Sequence, residues 1–393
     1  MTGTTPQSGD ATTESGQKAR PPAGQSAYFS GDAEAKALGL YRILNEDGTV
    51  ADGERVRVER EQALRMYRGM LTIRIMDQRL LALQRQGRTG FYGEARGQEA
   101  AVVGTAAATE PADWIVPALR EAGVGIYRGM TMQSYVAQIF GNGDDVTKGR
   151  QMPCHPCDRE HHYVVMSSCV ASQIPHAVGI AMGMKLLGAS NEVCVGYMGD
   201  GATSEADFHV ALNFAGVTRA PCVLVCQNNQ WAISTPGTVQ TAAETIAIKG
   251  LGYGVESLRA DGNDIFAVHG VTRYATEKAR RGDGPTFIEL LTYRVSAHSS
   301  SDDPSRYRDE SITEVWRDKR DPLGRMRTFL EHRGWLAAGQ HDDYAAEIEK
   351  HVRAAIAAEE AKPPPTIDTL IEDVYTQPTW LLQEQLTAYV RGQ

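Results

Sequence analysis

Residues 192–229 read EVCVGYMGDGATSEADFHVALNFAGVTRAPCVLVCQNN, and this segment predicts a strand, a helix and a second strand. Residues 192–198 form a short apolar run that ends at a glycine, as a strand buried in a parallel sheet does. Residues 221–226 form a second such run, and Gly216 and Pro221 are expected to end the helix before it. Two parallel strands joined in this way predict a right-handed β-α-β crossover and an α/β fold.

The segment between the two strands has helical periodicity. Three apolar residues fall on one stripe of a helix that is expected to begin near Thr203: Phe208, Leu212 and Ala215. Ser204 and Asp207 are spaced as the two members of a capping box, which satisfies free N–H groups in a first helical turn. The positive end of this helix is expected to face the carboxyl end of the first strand.

Polar side chains follow each of the two strands. Asp200 comes after the first strand, between Gly199 and Gly201, and Asn229 comes after the second. Ligands of open parallel sheets bind outside the carboxyl ends of the strands, so both side chains are expected at one site. Mg²⁺ prefers oxygen ligands, which Asp200, Asn229 and the backbone carbonyl of Trp231 would supply. The two glycines would let the backbone come close to an anionic ligand held by the metal ion.

The same segment resembles a known family. Residues 199–235 are similar to the thiamine diphosphate motif in the α subunit of the decarboxylating component of 2-oxo acid dehydrogenases. The likeness covers most of the chain from about residue 59 and includes these segments: KGRQMP (148–153), SSCVASQIPHAVG (167–179), RADGNDIFAV (259–268) and AHSSSDDPSRYR (297–308). The run of serine and aspartate after His298, together with KGRQMP, is more similar to the branched-chain 2-oxo acid enzyme than to the pyruvate enzyme.

The resemblance implies a fold and a reaction. The fold is the thiamine diphosphate-binding α/β fold, a parallel sheet flanked by helices, with helical N-terminal and C-terminal extensions. The reaction is oxidative decarboxylation of 3-methyl-2-oxobutanoate and related acids, with acyl transfer to a lipoyl group. Thiamine diphosphate and Mg²⁺ are the implied cofactors, and K⁺ is a further one in some relatives. The alternatives are a pyruvate or acetoin dehydrogenase α subunit and, from another class, a paralogue that assembles without catalysing turnover.

The resemblance also assigns roles to individual residues. Arg120 is expected to bind the diphosphate through its guanidinium group. Ser168 and Val170 lie on a loop that meets the aminopyrimidine ring, where an apolar side chain would hold the cofactor in its bent shape. His298 is expected to be catalytic and to bind the cofactor. The other implied cofactor contacts lie in the first motif: Gly199, Asp200, Gly201, Ala202 and Asn229.

Two positions depart from the family pattern. Leu119 stands where many members have tyrosine, and Gln227 stands where some have arginine. Other groups must then supply positive charge to the diphosphate.

The resemblance gives two further expectations, each for one loop of this chain. A monovalent cation would bind backbone carbonyls of one loop, which contains Ser167, Cys169, Ser172 and Gln173. Ser299 occupies the position of a serine that is a regulatory phosphorylation target in animal relatives.

The chain divides into four expected parts. Residues 1–30 are rich in Gly, Thr, Ser, Pro and Gln, which predicts a disordered arm. Residues 31–165 are expected to form an arm and a helical region that contains an amphipathic helix at 59–86. Residues 166–325 would form the α/β core, and residues 326–393 a C-terminal helical region. The apolar side of the long helix is expected to contain Leu64, Met66, Met70, Ile73 and Leu80.

Composition and charge argue against several classes of protein. The hydrophobic content of 42% is ordinary for a globular protein, and a net charge of −9 argues against nucleic acid as a partner. Because no apolar segment of membrane-spanning length occurs, no membrane partner is expected. The N-terminus lacks a secretion signal, and Asp10 and Glu14 argue against a transit peptide, so we expect a cytoplasmic protein.

The cysteines do not form a dense framework and are expected to be reduced. Cys154 and Cys157, followed by His161 and His162, could form a redox pair or a zinc site. The histidines follow too closely for a typical zinc spacing, so this alternative is disfavoured.

The number of sheet domains predicts a partner. A thiamine diphosphate enzyme needs one α/β domain for the diphosphate and another for the pyrimidine, and this sequence accounts for one. The resemblance therefore implies a β subunit of the same component, a heterotetramer of two α and two β chains, and a lipoyl acyltransferase core.

Overall fold

The computed structural model describes residues 28–29, 31–189 and 191–392. The arm predicted for residues 1–30 lies outside these residues, apart from Tyr28 and Phe29. Those two are ordered, because their rings pack with Tyr41.

The fold is built on a parallel sheet of five strands in the order β1-β2-β3-β7-β6. Its strands are β1 (Trp114–Val116), β2 (Cys194–Gly199), β3 (Cys222–Asn228), β6 (Glu256–Asp261) and β7 (Thr286–Leu291). A separate antiparallel hairpin contains β4 (Trp231–Ala232) and β5 (Thr235–Pro236). The α/β class predicted from the sequence is therefore confirmed.

Helices cover the sheet, and further helices lie before and after it in the described chain. They are α1 (Ala33–Leu38), α2 (Arg60–Arg85), α3 (Glu99–Ala106), α4 (Ala122–Arg128), α5 (Met132–Phe140), α6 (Gln173–Leu186), α7 (Ala206–Thr218), α8 (Gly237–Gln240), α9 (Ile248–Leu251), α10 (Ile265–Arg280), α11 (Glu310–Asp318), α12 (Pro322–His332), α13 (Gln340–Glu360), α14 (Thr369–Glu372) and α15 (Trp380–Arg391). No helix among the described residues is both long enough and apolar enough to cross a membrane.

Side chains of the central strands alternate between two apolar layers. One layer is shared with α2, α3 and α10 and contains Val195, Tyr197, Val223 and Val225. The other is shared with α6 and α7 and contains Cys194, Met198, Leu224 and Cys226. Burial on both faces explains why these strands are continuous apolar runs rather than alternating ones.

The β2-α7-β3 unit confirms the predicted order of strand, helix and strand, but the helix ends differ. A 3₁₀ turn (Asp200–Ser204) precedes α7, whose N-cap is Glu205 and has no capping side chain, so the predicted capping box of Ser204 and Asp207 is wrong. Gly216 lies inside the helix rather than at its end. A Cβ atom there would approach the carbonyl oxygen of Tyr253 to 2.3 Å, so close packing requires the glycine.

The long amphipathic helix is confirmed as α2. Met66, Met70, Ile73 and Leu80 are buried as expected, and Leu64 is half-buried against the same core. The region expected to be helical also contributes a strand, β1, which joins the edge of the sheet. Three residues are too few for strand periodicity to be visible in the sequence.

Both edge strands of this sheet are paired with neighbouring loops. Along β6, Tyr41 donates its N–H to Arg259 and accepts at its carbonyl from the N–H of Asp261, both at 2.9 Å. Along β1, Ile115 bonds in the same way with His162 and Val164, also at 2.9 Å. Neither edge leaves its ladder fully open.

Candidate active site

A cavity of about 480 Å³ opens at the carboxyl ends of β2 and β3. Its volume is in the usual range for a small-molecule site. It brings together all residues predicted to bind the cofactor or the metal: Arg120, Ser168, Val170, Gly199, Asp200, Gly201, Ala202, Asn229, Trp231 and His298. Residues that are far apart in the sequence thus meet at the edge of the sheet where parallel strands place ligands.

Asp200 is a buried carboxylate with an unsatisfied oxygen. The residue is only 2% exposed, and within the described part of the chain its Oδ2 has no hydrogen-bond partner. Burial raises the pKa of this carboxyl to about 6. A buried carboxylate oxygen that lacks a partner fits a metal ligand, because a cation would offset the cost of burial.

The amide of Asn229 is held on both sides. Its Oδ1 accepts from the N–H of Trp231 at 3.2 Å, and its Nδ2 donates to Oε1 of Gln98 at 3.2 Å. The amide oxygen keeps a second lone pair for a metal ion.

The carbonyl of Trp231, the third predicted metal ligand, lies near the guanidinium group of Arg294. Nη1 of Arg294 lies 3.5 Å from this oxygen, and Nη2 donates to the carbonyl of Ile233 at 2.7 Å. The first contact is long, and a carbonyl oxygen can accept twice, so a metal ion remains compatible with it.

The two positions beside Asp200 require glycine for different reasons. A Cβ atom on Gly199 would meet nothing within 4 Å, so this position faces open space in the cavity. A Cβ atom on Gly201 would lie 2.8 Å from Cβ of Ala232 in the β4-β5 hairpin. The geometry therefore leaves room for a ligand at Gly199, whereas Gly201 is needed for packing.

Arg120 joins two loops of the cavity wall. Its guanidinium group donates to the carbonyl of Glu94 and, at 2.8 Å, to the carbonyl of His298. Burial lowers the pKa of Arg120 to about 10, so the side chain stays positive at neutral pH. Arg120 thus contributes a charge to the cavity and also fixes the backbone of the loop that contains the predicted catalytic histidine.

His298 lies on a loop ordered by Asp302. Oδ2 of Asp302 accepts from the backbone N–H of His298 at 2.7 Å and from the hydroxyl of Tyr307 at 2.5 Å. Burial, together with the positive charges of Arg120 and Arg294, lowers the pKa of His298 to about 4. The ring is therefore neutral at pH 7, with one nitrogen able to donate and the other able to accept.

Ser299 lies in the wall of a second cavity. This cavity of about 800 Å³ is also lined by Arg85 and Arg96, and its walls are mostly polar. Consecutive residues, His298 and Ser299, thus face different cavities.

The loop before α6 forms the opposite wall of the first cavity. Ser168 is held by a 2.6 Å hydrogen bond between its Oγ and Nε2 of His155. Val170 is 62% exposed and lines the cavity, as an apolar support for a ligand would. Ala171 has a positive φ of 72°, which gives the loop its tight turn.

The residues predicted for a monovalent cation are only partly on the cavity wall. Ser167 and Gln173 line the cavity, whereas Cys169 and Ser172 do not. The carbonyl of Cys169 accepts from Oγ of Ser172 at 2.8 Å. The cation site stays a prediction.

The buried polar residues Gln98 and Glu121 also line the cavity and were not predicted from the sequence. Gln98 directly precedes α3, and Glu121 directly follows Arg120. The carboxylate of Glu121 accepts from Nε2 of Gln227, and burial raises the pKa of Glu121 to about 7. Adjacency to Arg120 was the only sequence signal for Glu121, and Gln98 had none.

The cysteines and histidines of residues 154–162 do not converge on one point in the described structure. Cys154 and Cys157 are free thiols, and among the described residues no group of His, Cys, Asp and Glu could hold a metal ion by itself. His161 bonds instead with Asp158 at 2.7 Å, and His162 with the carbonyl of Ala112 at 3.0 Å.

Comparison with known proteins agrees with this geometry. A family model described as "Dehydrogenase E1 component" matches residues 67–368. The chain is 41% identical to the 2-oxoisovalerate dehydrogenase subunit alpha 2, mitochondrial, of Arabidopsis thaliana, over 91% of this chain and 76% of the relative. It is 40% identical to the mitochondrial subunit alpha of Dictyostelium discoideum, over 88% of this chain and 78% of that one. It is 39% identical to the mitochondrial subunit alpha of Homo sapiens, over 90% and 79%.

These matches cover the cavity residues as well as the sheet and the helices around it. They agree with the predicted dependence on thiamine diphosphate, and an α subunit implies a β subunit as partner and a 2-oxo acid as substrate. The chain belongs to the dehydrogenase E1 component family, among relatives named as α subunits of 2-oxoisovalerate dehydrogenase.

Proposed function

We propose that this chain is the α subunit of a branched-chain 2-oxo acid dehydrogenase. The reaction is oxidative decarboxylation of 3-methyl-2-oxobutanoate and related acids, with acyl transfer to a lipoyl group. The observation that carries the proposal is the meeting of Asp200, Asn229, Arg120 and His298 in one cavity of a chain that matches this family. An assembly paralogue without turnover would not need to keep these four side chains together.

The residues present fit thiamine diphosphate and Mg²⁺. The unpartnered Oδ2 of Asp200, Oδ1 of Asn229 and the carbonyl of Trp231 would hold the metal ion, which in turn neutralises the diphosphate. The open space at Gly199 would let the phosphates come close to the backbone. When bound, the cofactor supplies an electron sink for loss of CO₂.

The protein groups around that chemistry supply position and protons. Neutral His298 can donate a hydrogen bond from one ring nitrogen to a developing negative charge on the substrate, while its other ring nitrogen can accept one. Arg120 holds the carbonyl of His298, and Asp302 holds its N–H, so the ring is presented by a fixed backbone.

The cavity wall suits an aliphatic substrate. Its apolar side chains include Phe91, Leu119, Met152, Met166 and Ile233. Apolar walls favour a branched alkyl chain over a smaller one by burying its additional methyl groups. This supports 3-methyl-2-oxobutanoate over pyruvate as the preferred acid.

The assembly and the remaining cofactors are part of the same proposal. One parallel sheet is present in the described residues, so a β subunit would contribute the pyrimidine-binding domain and the carboxylate that activates the cofactor. We infer a heterotetramer of two α and two β chains on a lipoyl acyltransferase core. K⁺ near Ser167 and a cytoplasmic location are further expectations.

A reconstituted activity assay tests the function. The chain would be purified with its β subunit, and reduction of an artificial electron acceptor would be measured with thiamine diphosphate and Mg²⁺ on 3-methyl-2-oxobutanoate and on pyruvate. A higher kcat/KM for the branched acid is expected. A preference for pyruvate would support the same mechanism with a different substrate, while no activity with either acid would favour the assembly paralogue.

A variant links that activity to the cavity. His298→Asn should lower kcat by roughly 100-fold or more, since a positioned proton donor contributes on that order. Thr276 is buried on α10, away from the cavity lining, and Thr276→Ser is a matched control that should leave kcat unchanged.

A further inference from the structure

Gln98 is a buried polar side chain that faces the cavity without serving the helix it precedes. It is 1% exposed and occupies the N-cap position of α3, yet its side chain makes no capping hydrogen bond. The side chain instead lines the cavity. A buried amide in this position needs partners for both its oxygen and its nitrogen.

Hydrogen-bond chemistry fixes which end of the Gln98 amide bonds with Asn229 and which end is left over. The backbone N–H of Trp231 can only donate, so it orients Oδ1 of Asn229 toward itself. Nδ2 of Asn229 then requires an acceptor, which is Oε1 of Gln98 at 3.2 Å. Nε2 of Gln98 is left as a buried donor with no partner among the residues that the structure describes.

The backbone around Gln98 is anchored on two sides. The carbonyl of Gly97 accepts from Oγ1 of Thr292 at 2.9 Å, at the end of β7. On the other side, Glu99 accepts from the N–H of Gly97 at 2.9 Å and pairs with Arg74 of α2. The unpartnered Nε2 therefore occupies a defined place in the cavity wall.

The free donor selects the kind of ligand atom that it meets. An N–H group repels a metal ion and requires an acceptor. Because Gln98 bonds with Asn229, a predicted metal ligand, a diphosphate oxygen held by the same metal ion would be a suitable acceptor for Nε2.

We propose that Gln98 is a positioning residue with two functions: Oε1 holds the Asn229 amide with its oxygen toward the metal, and Nε2 donates to a diphosphate oxygen. This rests on the proposed function, because it assumes that thiamine diphosphate and Mg²⁺ bind in this cavity. It also supplies one of the polar contacts that Leu119 and Gln227 do not provide.

Two substitutions separate the two functions. Gln98→Glu keeps an oxygen acceptor for Nδ2 of Asn229 but removes the donor, whereas Gln98→Leu removes both. Gln62→Glu is the matched control, since Gln62 is a partly buried glutamine on α2 that bonds with His269 away from the cavity. The subunits would be assembled with the β chain, stripped of cofactor and checked for unchanged size and thermal midpoint.

Calorimetric titration then gives the dissociation constant of thiamine diphosphate at saturating Mg²⁺, and the Mg²⁺ concentration for half-saturation at fixed cofactor. Gln98→Glu should raise the dissociation constant of thiamine diphosphate by roughly 10- to 100-fold without raising the half-saturating Mg²⁺ concentration. Gln98→Leu should raise both the dissociation constant and the half-saturating Mg²⁺ concentration. The same variants should bind thiamine, which has no phosphates, as the unaltered complex does.

The outcomes distinguish this inference from the function beneath it. If the unaltered complex binds the cofactor and both variants match it within twofold, the role of Gln98 is refuted while the proposed function stands. A change confined to the KM of the 2-oxo acid would also refute it, since Nε2 would then serve the substrate. If the unaltered complex binds no thiamine diphosphate, both proposals fall.

Discussion

The role of Asp200 as a metal ligand can be tested directly, because a buried carboxylate that binds a metal should destabilise the folded protein when the metal is absent. In the protein without ligands, burial raises the pKa of its carboxyl from 3.8 to about 6. A difference of about 2 pKa units corresponds to about 3 kcal/mol of free energy against the ionised form. Asp200→Asn replaces the carboxylate with a neutral group of the same shape and should remove that cost.

The expected result is a more stable chain that has lost its ligand. At pH 7.5, without Mg²⁺ and thiamine diphosphate, Asp200→Asn should raise the thermal midpoint by about 3 to 4 °C, given the unfolding entropy of a chain of this length. The raised pKa means that the protonated carboxyl favours folding below pH 3.8 and that this advantage is lost as pH rises through about 6. The difference between the two proteins should therefore close as the pH falls from 6 toward 4.

Thermal denaturation followed by circular dichroism, at several pH values and with and without ligands, measures both effects. Thiamine diphosphate with Mg²⁺ should raise the midpoint of the unaltered protein and leave that of Asp200→Asn unchanged. The exposed Asp52 provides the control, and Asp52→Asn should change the midpoint by less than about 1 °C. An Asp200→Asn protein that is less stable than the original at pH 7.5 would refute the reasoning.

Three further predictions follow from the geometry of the fold and the site. Gly199→Ala should leave the thermal midpoint unchanged and weaken the binding of thiamine diphosphate, measured by calorimetric titration. Gly201→Ala should lower the unfolding free energy in urea by about 1 to 3 kcal/mol, because its Cβ would clash with the β4-β5 hairpin. Equal effects of the two substitutions would contradict the roles assigned to these glycines. Burial lowers the pKa of His269 to about 4, so as the pH falls the unfolded chain takes up a proton before the folded one does. Urea titrations should therefore show that the unfolding free energy falls by about 2 kcal/mol between pH 7 and pH 5, and His269→Gln should abolish this fall. Asp302→Ala removes the partner of the His298 N–H, so steady-state assays should show kcat reduced by roughly 10-fold with little change in cofactor affinity. An unchanged kcat would show that catalysis does not depend on the order that Asp302 gives to this loop.

Periodic apolar patterns allowed the central unit and the long helix to be predicted from the sequence. β2, β3 and α2 each bury a continuous or regularly spaced set of side chains, so their patterns are visible without tertiary information. β1 was missed because a strand of three residues has no measurable period. The capping box failed because the chain uses a 3₁₀ turn after Asp200 before α7 begins.

The same division applies to the site. Asp200 and Asn229 could be placed together because each directly follows a predicted strand, and parallel strands end at one edge. Gln98 could not be placed, since its bond to Asn229 joins residues 131 positions apart. Glu121 depends in the same way on Gln227, which is 106 positions away. Contacts between distant side chains are set by packing, which no local pattern encodes.

The loops that cover the two edges of the sheet limit how this subunit can meet other chains. Tyr41 beside β6 and Ile115 in β1 already use backbone groups that a foreign strand would need. Continuing this sheet into that of another chain would require these loop contacts to be displaced, which favours recognition through side-chain chemistry that can discriminate between partners. A chain shortened past Tyr41 would expose β6 and become prone to self-association through indiscriminate strand pairing.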